Sequence, residues 1–286
     1  MFTNKLREGD LVEIAAPSSF LENNDRFLSG IKILKEWGLI INQNKILSRR
    51  FNSFAGNDQT RLQELKKVQK SKLIIFAKGG WGSARLLEGK LSWGEGWMLG
   101  FSDTSSLLLS KYSQGYLGSI HGPMVTTLSN EPSWSIERLR TLLFEGYVDD
   151  IKGKPIKGGI AIGEVIVSNL TIFSYLIGTS HLPDLRGKIL VFEDINEDIY
   201  KIDRMLTYMR LSKKLDGIVG IGFGNFFNEK ESDHNKLFED LIYERLQDFD
   251  IPIVSNLPIG HICGNACIPI GFNATLNGNN GLLSVN

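Results

Sequence analysis

Ser102, His261 and the pair Glu193-Asp194 stand where the chain leaves a strand or makes a turn, positions from which a hydroxyl, an imidazole and a carboxylate can face one cleft. In WMLGFSDTSSLLL, residues 97–109, Ser102 follows an apolar strand-like run and precedes an amphipathic helix, with Gly100 two residues ahead. A sharp strand-to-helix turn lifts a hydroxyl into the crevice beyond the strand ends, as a nucleophile elbow does. The helix start behind it offers unpaired N–H groups and a positive dipole end to a developing oxyanion. The local residues alone favour a plainer reading, with Ser102 or Asp103 as a helix N-cap, because capping serines outnumber nucleophiles. Thr104 also breaks the G-x-S-x-G pattern.

Three other segments carry chemistry-bearing residues. In AKGGWGSARLLE, residues 77–88, adjacent glycines after a strand allow close backbone approach to a ligand, but the G-K-[ST] ending of a phosphate loop is missing. Ser83 in this segment is a rival nucleophile, placed inside a first helical turn rather than at an elbow. In KILVFEDINEDIYKIDRML, residues 188–206, Glu193 and Asp194 end an apolar strand, so at least one carboxylate should reach the cleft rim; a rim salt bridge is the alternative. In NLPIGHICGNACIPIG, residues 256–271, His261 follows a Pro-Ile-Gly turn, a rigid setting for the base that a serine requires. Cys263 and Cys267 next to it lack a fourth ligand at zinc spacing, so no metal is expected. His121 in SIHGPM follows a short strand and is a candidate for lining the cleft. The glycines of GIVGIGFGN miss the G-x-G-x-x-G spacing of a dinucleotide site.

The elements that must position these groups read as follows. Strands at 10–16, 72–77 and 97–101 alternate with helices around 27–34, 62–68 (capped by Asp58) and 84–88, and a helix over 135–145 closes the unit. Asn23 and Asn24 are the capping candidates of the first helix. Near-continuous apolar strands in a βαβα rhythm predict a parallel sheet covered on both faces. Residues 147–168 turn glycine-rich and β-branched, a crossover with a small β element. Helix, strand, helix, strand, helix and strand then follow from 168 to 256.

With 286 residues, 42% apolar and 22% charged, the chain has the balance of a globular protein of one large or two ordinary domains. Lys+Arg and Asp+Glu both total 32, so no global field favours nucleic acid or anionic membrane. The N-terminal residues lack a signal-peptide apolar core, apolar runs such as LIIFA are of buried-strand length, and two cysteines suit a reducing compartment. The expectation is a cytoplasmic protein without membrane or nucleic-acid partners.

In their order, GDLVEIAAPSS, AKGGWGSARLLE, GFSDTSSLLL, HGPM, SNLTIFSYLIGTSHLPDLRGKILVFEDINEDIYKIDRML and PIGHICGNACIPIG resemble the serine LD-carboxypeptidase family, which includes the microcin C immunity hydrolases. The resemblance implies an α/β fold: a flavodoxin-like parallel-sheet N-terminal domain over 1–150, a linker or crossover over 151–164, and a smaller swivelling-type β/α domain over 165–286. It implies a catalytic triad of Ser102, His261 and Glu193 and no cofactor. The backbone N–H groups of Gly80 and Asp103 are then the candidates for the oxyanion hole, and Arg85, Trp81 and His121 for substrate contacts. The implied substrate is a cytoplasmic murein tetrapeptide that loses its terminal D-alanine in peptidoglycan recycling, and the implied assembly is a homodimer. A peptidyl or aminoacyl nucleotide is the alternative substrate, and a non-catalytic binding protein the alternative class. The sequence departs from the family's usual pattern at Ser168-Asn169, where a glycine often precedes the asparagine, at Trp81, where tyrosine is common, and at the CGNAC stretch.

Overall fold

The computed structural model describes residues 5–22, 24–42, 46–227 and 232–286. Its first half runs β1 (Leu11–Ala15), α1 (Asn24–Glu36), β2 (Ile40–Asn42), α2 (Asp58–Val68), β3 (Leu73–Phe76), β4 (Trp97–Gly100), α3 (Ser105–Ser113), β5 (Ser119–His121), α4 (Val125–Leu128) and α5 (Ser133–Phe144). The second half runs β6 (Ile151–Lys152), β7 (Lys154–Lys157), β8 (Ile160–Asn169), α6 (Leu170–Leu176), β9 (Lys188–Glu193), α7 (Ile199–Leu211), β10 (Gly220–Phe223), α8 (Ser232–Leu246), β11 (Ile253–Ser255), β12 (Ile268–Pro269), β13 (Asn273–Asn277) and β14 (Leu282–Val285).

The first sheet has the order β12-β5-β4-β3-β1-β2. Its β1 to β5 are parallel, in the 2-1-3-4-5 arrangement of a flavodoxin-like fold, so the strand order reverses between β1 and β3. The apolar runs are buried on both faces. Ile74, Phe76 and Met98 belong to a core shared with Leu65, Val68 and Leu107, whereas Leu73, Ile75 and Leu99 pack with Phe27, Ile31 and Leu139. Successive strand side chains point to opposite faces, so an unbroken apolar run such as LIIF can only be stable between two helical layers.

The second sheet has the order β6-β14-β13-β8-β9-β10-β11-β7, with β8 to β11 parallel and antiparallel strands on either side. Residues 151–164, expected as a crossover, supply β6, β7 and the first part of β8 and so are built into this sheet. β12 lies late in the chain yet pairs antiparallel with β5 of the first sheet, Ile268 opposite His121 and Pro269 opposite Ile120. α3 forms the seam between the halves: Ser105 Oγ accepts from the Asn169 N–H at 3.3 Å, and the Tyr112 hydroxyl donates to Glu164, which also pairs with Lys188.

Two local expectations shift. α2 is capped by Asn57, whose side chain accepts from the Thr60 N–H at 2.8 Å, rather than by Asp58. SARLLE forms a 3₁₀ turn over Ala84–Glu88, a segment too short for α-helix nucleation to be repaid. Asn23, a capping candidate, lies outside the described residues; α1 begins at Asn24. Among the described residues no helix is long and apolar enough to cross a membrane.

Candidate active site

β4 delivers the chain to Phe101 in extended geometry, and Ser102 then adopts φ +60° before a 3₁₀ turn over Ser102–Thr104 leads into α3. A non-glycine residue in the left-handed region costs about 1–3 kcal/mol and persists only where its surroundings over-determine it. Here they do. The Asp103 carboxylate accepts from Ser18 Oγ at 2.6 Å, Ser83 N–H at 2.9 Å and Gly82 N–H at 3.2 Å, while Ser83 Oγ donates back to the Asp103 carbonyl at 2.6 Å. Asp103 therefore ties the loops after β1 and β3, on both sides of the switch point, to the turn that carries Ser102. Ser83, the rival nucleophile, is fully buried in this network.

The glycine loop after β3 is shaped by contact as well. Gly80 has φ +109°, and a Cβ there would overlap the Ser19 hydroxyl. Arg61, wholly buried, donates to the carbonyls of Pro17 and Gly82 and pairs with Asp58, which pins the same two loops from below. The N–H of Asp103 lies in the opening turn of a helix, where backbone donors lack intrahelical acceptors.

At the end of β9 the two carboxylates part company. Asp194 is consumed by Asn169 Nδ2 at 2.8 Å, Thr171 N–H and Oγ1 at 2.9 and 2.8 Å, and its neighbour Ile195 N–H at 2.9 Å. Glu193, with no exposed surface, places Oε2 2.8 Å from His261 Nδ1 and Oε1 3.6 Å from His121 Nε2. Burial alone would raise the Glu193 pKa, but the facing imidazoles, His261 first, hold it down at about 2. Burial likewise opposes charge on His261, and the Glu193 carboxylate outweighs it, so the imidazole pKa stands above its ordinary value. The Phe101 ring lies against both imidazoles, 4.9 Å from His261 and 5.7 Å from His121. Gly260 has φ +117°, and a Cβ on it would stand 2.9 Å from Glu193 Cβ, so the residue before the histidine must lack a side chain.

The loop carrying His261 is anchored on the other half of the molecule. Glu131, just before α5, accepts from the N–H groups of Gly264 and Asn265 at 3.0 and 2.9 Å. Ser135 Oγ donates to the Asn265 carbonyl at 3.1 Å, Asn265 Oδ1 accepts from the Gly260 N–H at 2.9 Å, and Cys263 Sγ donates to the Asn130 carbonyl at 3.0 Å. Cys267 is buried, which pushes its thiol pKa up to about 11. Among the described residues no cluster of three or more His, Cys, Asp or Glu is arranged to hold a metal ion.

Ser102 and His261 line one cavity of about 300 Å³, together with Gly79, Gly80, Phe101 and Met124. The expected substrate contacts stand elsewhere. Arg85 is held by Asp58, with Nη2 at 2.5 Å and Nε at 2.9 Å, and does not line the cavity. Trp81, 54% exposed, stacks against Phe54 at 4.5 Å. His121 lies buried behind Glu193, out of the cavity wall. The Asp103 carboxylate, Arg61, Glu131 and Gly260 were not singled out by sequence reasoning. Only Gly260 carried a local signal, as the glycine directly preceding a candidate base.

This architecture has known counterparts. Residues 12–122 match the LD-carboxypeptidase N-terminal domain and residues 162–276 the LD-carboxypeptidase C-terminal domain. A putative carboxypeptidase of Synechocystis is 37% identical, over 98% of this chain and 95% of its own. The murein tetrapeptide carboxypeptidase of Pseudomonas aeruginosa is 29% identical, over 94% and 93%. In fold, the chain superposes on the microcin C7 self immunity protein with TM-score 0.88 at 20% identity, covering 99% of this chain and 97% of that one. The muramoyltetrapeptide carboxypeptidase of Oxalobacter formigenes gives TM-score 0.84 at 24% identity, over 96% and 98%. The chain belongs to the LD-carboxypeptidase family and is a carboxypeptidase of the serine type.

Proposed function

We propose that this enzyme removes the terminal D-alanine from murein tetrapeptides during peptidoglycan recycling, through a triad of Ser102, His261 and Glu193. The observation that carries the reading is the 2.8 Å contact between Glu193 Oε2 and His261 Nδ1, with the same imidazole and Ser102 lining one cavity. The contact fixes the proton on Nδ1 and leaves Nε2 free to act as base. His261 Nε2 takes the Ser102 proton as Oγ attacks the scissile carbonyl. The N–H groups of Gly80 and Asp103 receive the oxyanion, each worth about 10²–10³-fold in rate. The imidazolium then protonates the departing amine, the C–N bond breaks and D-alanine leaves. Water, deprotonated by His261, attacks the acyl-enzyme, and the shortened peptide departs as Ser102 recovers its proton.

Relatives named as murein peptide carboxypeptidases support this substrate at 28–29% identity. A peptidyl or aminoacyl nucleotide is the second reading, favoured by the fold likeness to the microcin C7 self immunity protein, one structure of which holds aspartyl sulfamoyl adenosine. We place the protein in the cytoplasm, where such peptides are recycled, and expect the homodimer that the family resemblance implies.

The test is release of D-alanine from a purified tetrapeptide. Ser102→Ala should lower the rate by about 10⁴-fold or more and abolish labelling by a fluorophosphonate probe. Absence of both release and labelling in the unaltered protein would sink the reading in favour of a binding protein. Far tighter binding of a sulfamoyl nucleotide than of the tetrapeptide would move it to the second substrate.

A further inference from the structure

A carboxypeptidase must distinguish the end of a peptide from its interior, and the feature unique to the end is a free carboxylate. Two cations line the cavity that holds Ser102 and His261: Arg26, in the first turn of α1, and Lys78, immediately before the glycine pair that follows β3. Three other arginines of the first half are committed to carboxylates. Arg49 pairs with Glu64 at 3.0 Å, Arg61 is buried against Asp58 and two carbonyls, and Arg85 is clamped by Asp58 at 2.5 Å. Arg26 has no carboxylate partner among the described residues. Among the described residues the carboxylate partner of Lys78 is Glu22, at 3.7 Å and 70% exposed, on the same cavity wall. The wall thus carries two positive charges against one loosely held negative one. Arg26 also stands at a helix N-terminus, where the dipole disfavours a cation, so its position works against the stability of α1 and is not explained by it. Leu21 and Met124 supply the apolar surface beside these cations, suited to a small side chain such as the methyl of alanine.

We propose that Arg26 and Lys78 form the subsite that binds the free C-terminal carboxylate of the peptide, and thereby restrict cleavage to the last residue. This rests on the peptidase reading of the Ser102 site. Charge-assisted hydrogen bonds to a carboxylate are directional for arginine and point-like for lysine, so Arg26 sets the orientation and Lys78 adds field.

The experiment compares a tetrapeptide ending in D-alanine with the same peptide ending in D-alaninamide, for the unaltered protein and for Arg26→Gln and Lys78→Met. The unaltered enzyme should prefer the free acid in kcat/KM, and each variant should cut that acid-over-amide preference by roughly 10-fold or more, chiefly through KM. Equal losses on both peptides would assign the cations to a carboxylate elsewhere in the substrate and overturn the inference. A preference that survives in both variants would overturn it too. If the unaltered protein cleaves neither peptide, the peptidase reading has failed, and calorimetric binding of the two peptides to the Ser102→Ala chain still decides the subsite. Tighter binding of the acid, lost in the two variants, supports it; equal affinities refute it.

Discussion

Residues 79–106 and residues 258–267 each present one of the proposed reacting groups, and they draw on different parts of the chain to do so. The nucleophile turn is held by its own neighbourhood. Asp103 binds Ser18, Gly82 and Ser83, all from loops at the C-terminal edge of one parallel sheet. The base loop is tied into its own half, where the Ile259 carbonyl accepts from the Asn225 N–H at 2.8 Å and His261 meets Glu193 at 2.8 Å, but it leans on the other half as well. Further hydrogen bonds of the loop run to Asn130, Glu131 and Ser135, more than 120 positions earlier in the chain, and it ends in β12, a strand of the other sheet. The nucleophile turn is thus held mainly within one unit, while the base loop draws on both.

After loss of Ser102 itself, the largest expected effect removes the carboxylate that faces the base loop from β9. Glu193→Gln should lower kcat by about 10³–10⁴-fold, because an amide no longer enforces the Nδ1-protonated tautomer or stabilises the imidazolium. The pH profile gives a second readout. Glu193 raises the His261 pKa against the effect of burial, and only the neutral imidazole can accept the serine proton. Removing that charge lets the pKa fall, so the acid limb of residual kcat/KM should move to lower pH. A limb that stays in place would separate Glu193 from the base.

Next in size is Asp103→Asn. Ser18 Oγ and Ser83 N–H share one carboxylate oxygen and Gly82 N–H takes the other, so the new NH₂ faces at least one donor left without its acceptor, and hydrogen bonds to a charged group are worth about 1.5–3 kcal/mol each. Hydrogen exchange should quicken in residues 79–83 and 102–106, with the 258–267 loop unaffected. Smallest is Glu131→Gln, for which loss of about 1–2 kcal/mol is expected because one oxygen acceptor survives. Here exchange should quicken in 258–267 and spare the Ser102 turn. Spread of either effect into the other loop would show that the two are a single cooperative unit.

The same contrast explains what could be read in advance. The parallel sheet, its two-sided burial and the position of Ser102 at a strand-to-helix turn follow from patterns within a dozen residues. Choosing Glu193 over Asp194 needs the knowledge that Asn169 and Thr171 occupy Asp194, which no local pattern holds. Arg85 looked available for the opposite reason. Its partner Asp58 sits on α2, 27 positions away, and the expectation that Asp58 caps that helix hid its use as an ion-pair partner; Asn57 is the cap. β12 is two residues long, below any detectable periodicity, and so the return of the chain to the first sheet had no signal at all.

That return has a consequence in time. A ribosome making this protein completes every parallel strand of both sheets before it reaches residue 258. At that moment the emerging chain carries Ser102 and Glu193 but not the proposed base His261, and the outer edge of β5 is unpaired. On the proposed triad, hydrolytic competence therefore arrives as a late event of synthesis, with the segment that also closes the exposed edge. With His261 as the proposed base, a partly made copy cannot cut peptides, and any arrest short of residue 269 leaves a sheet edge open to association with another chain.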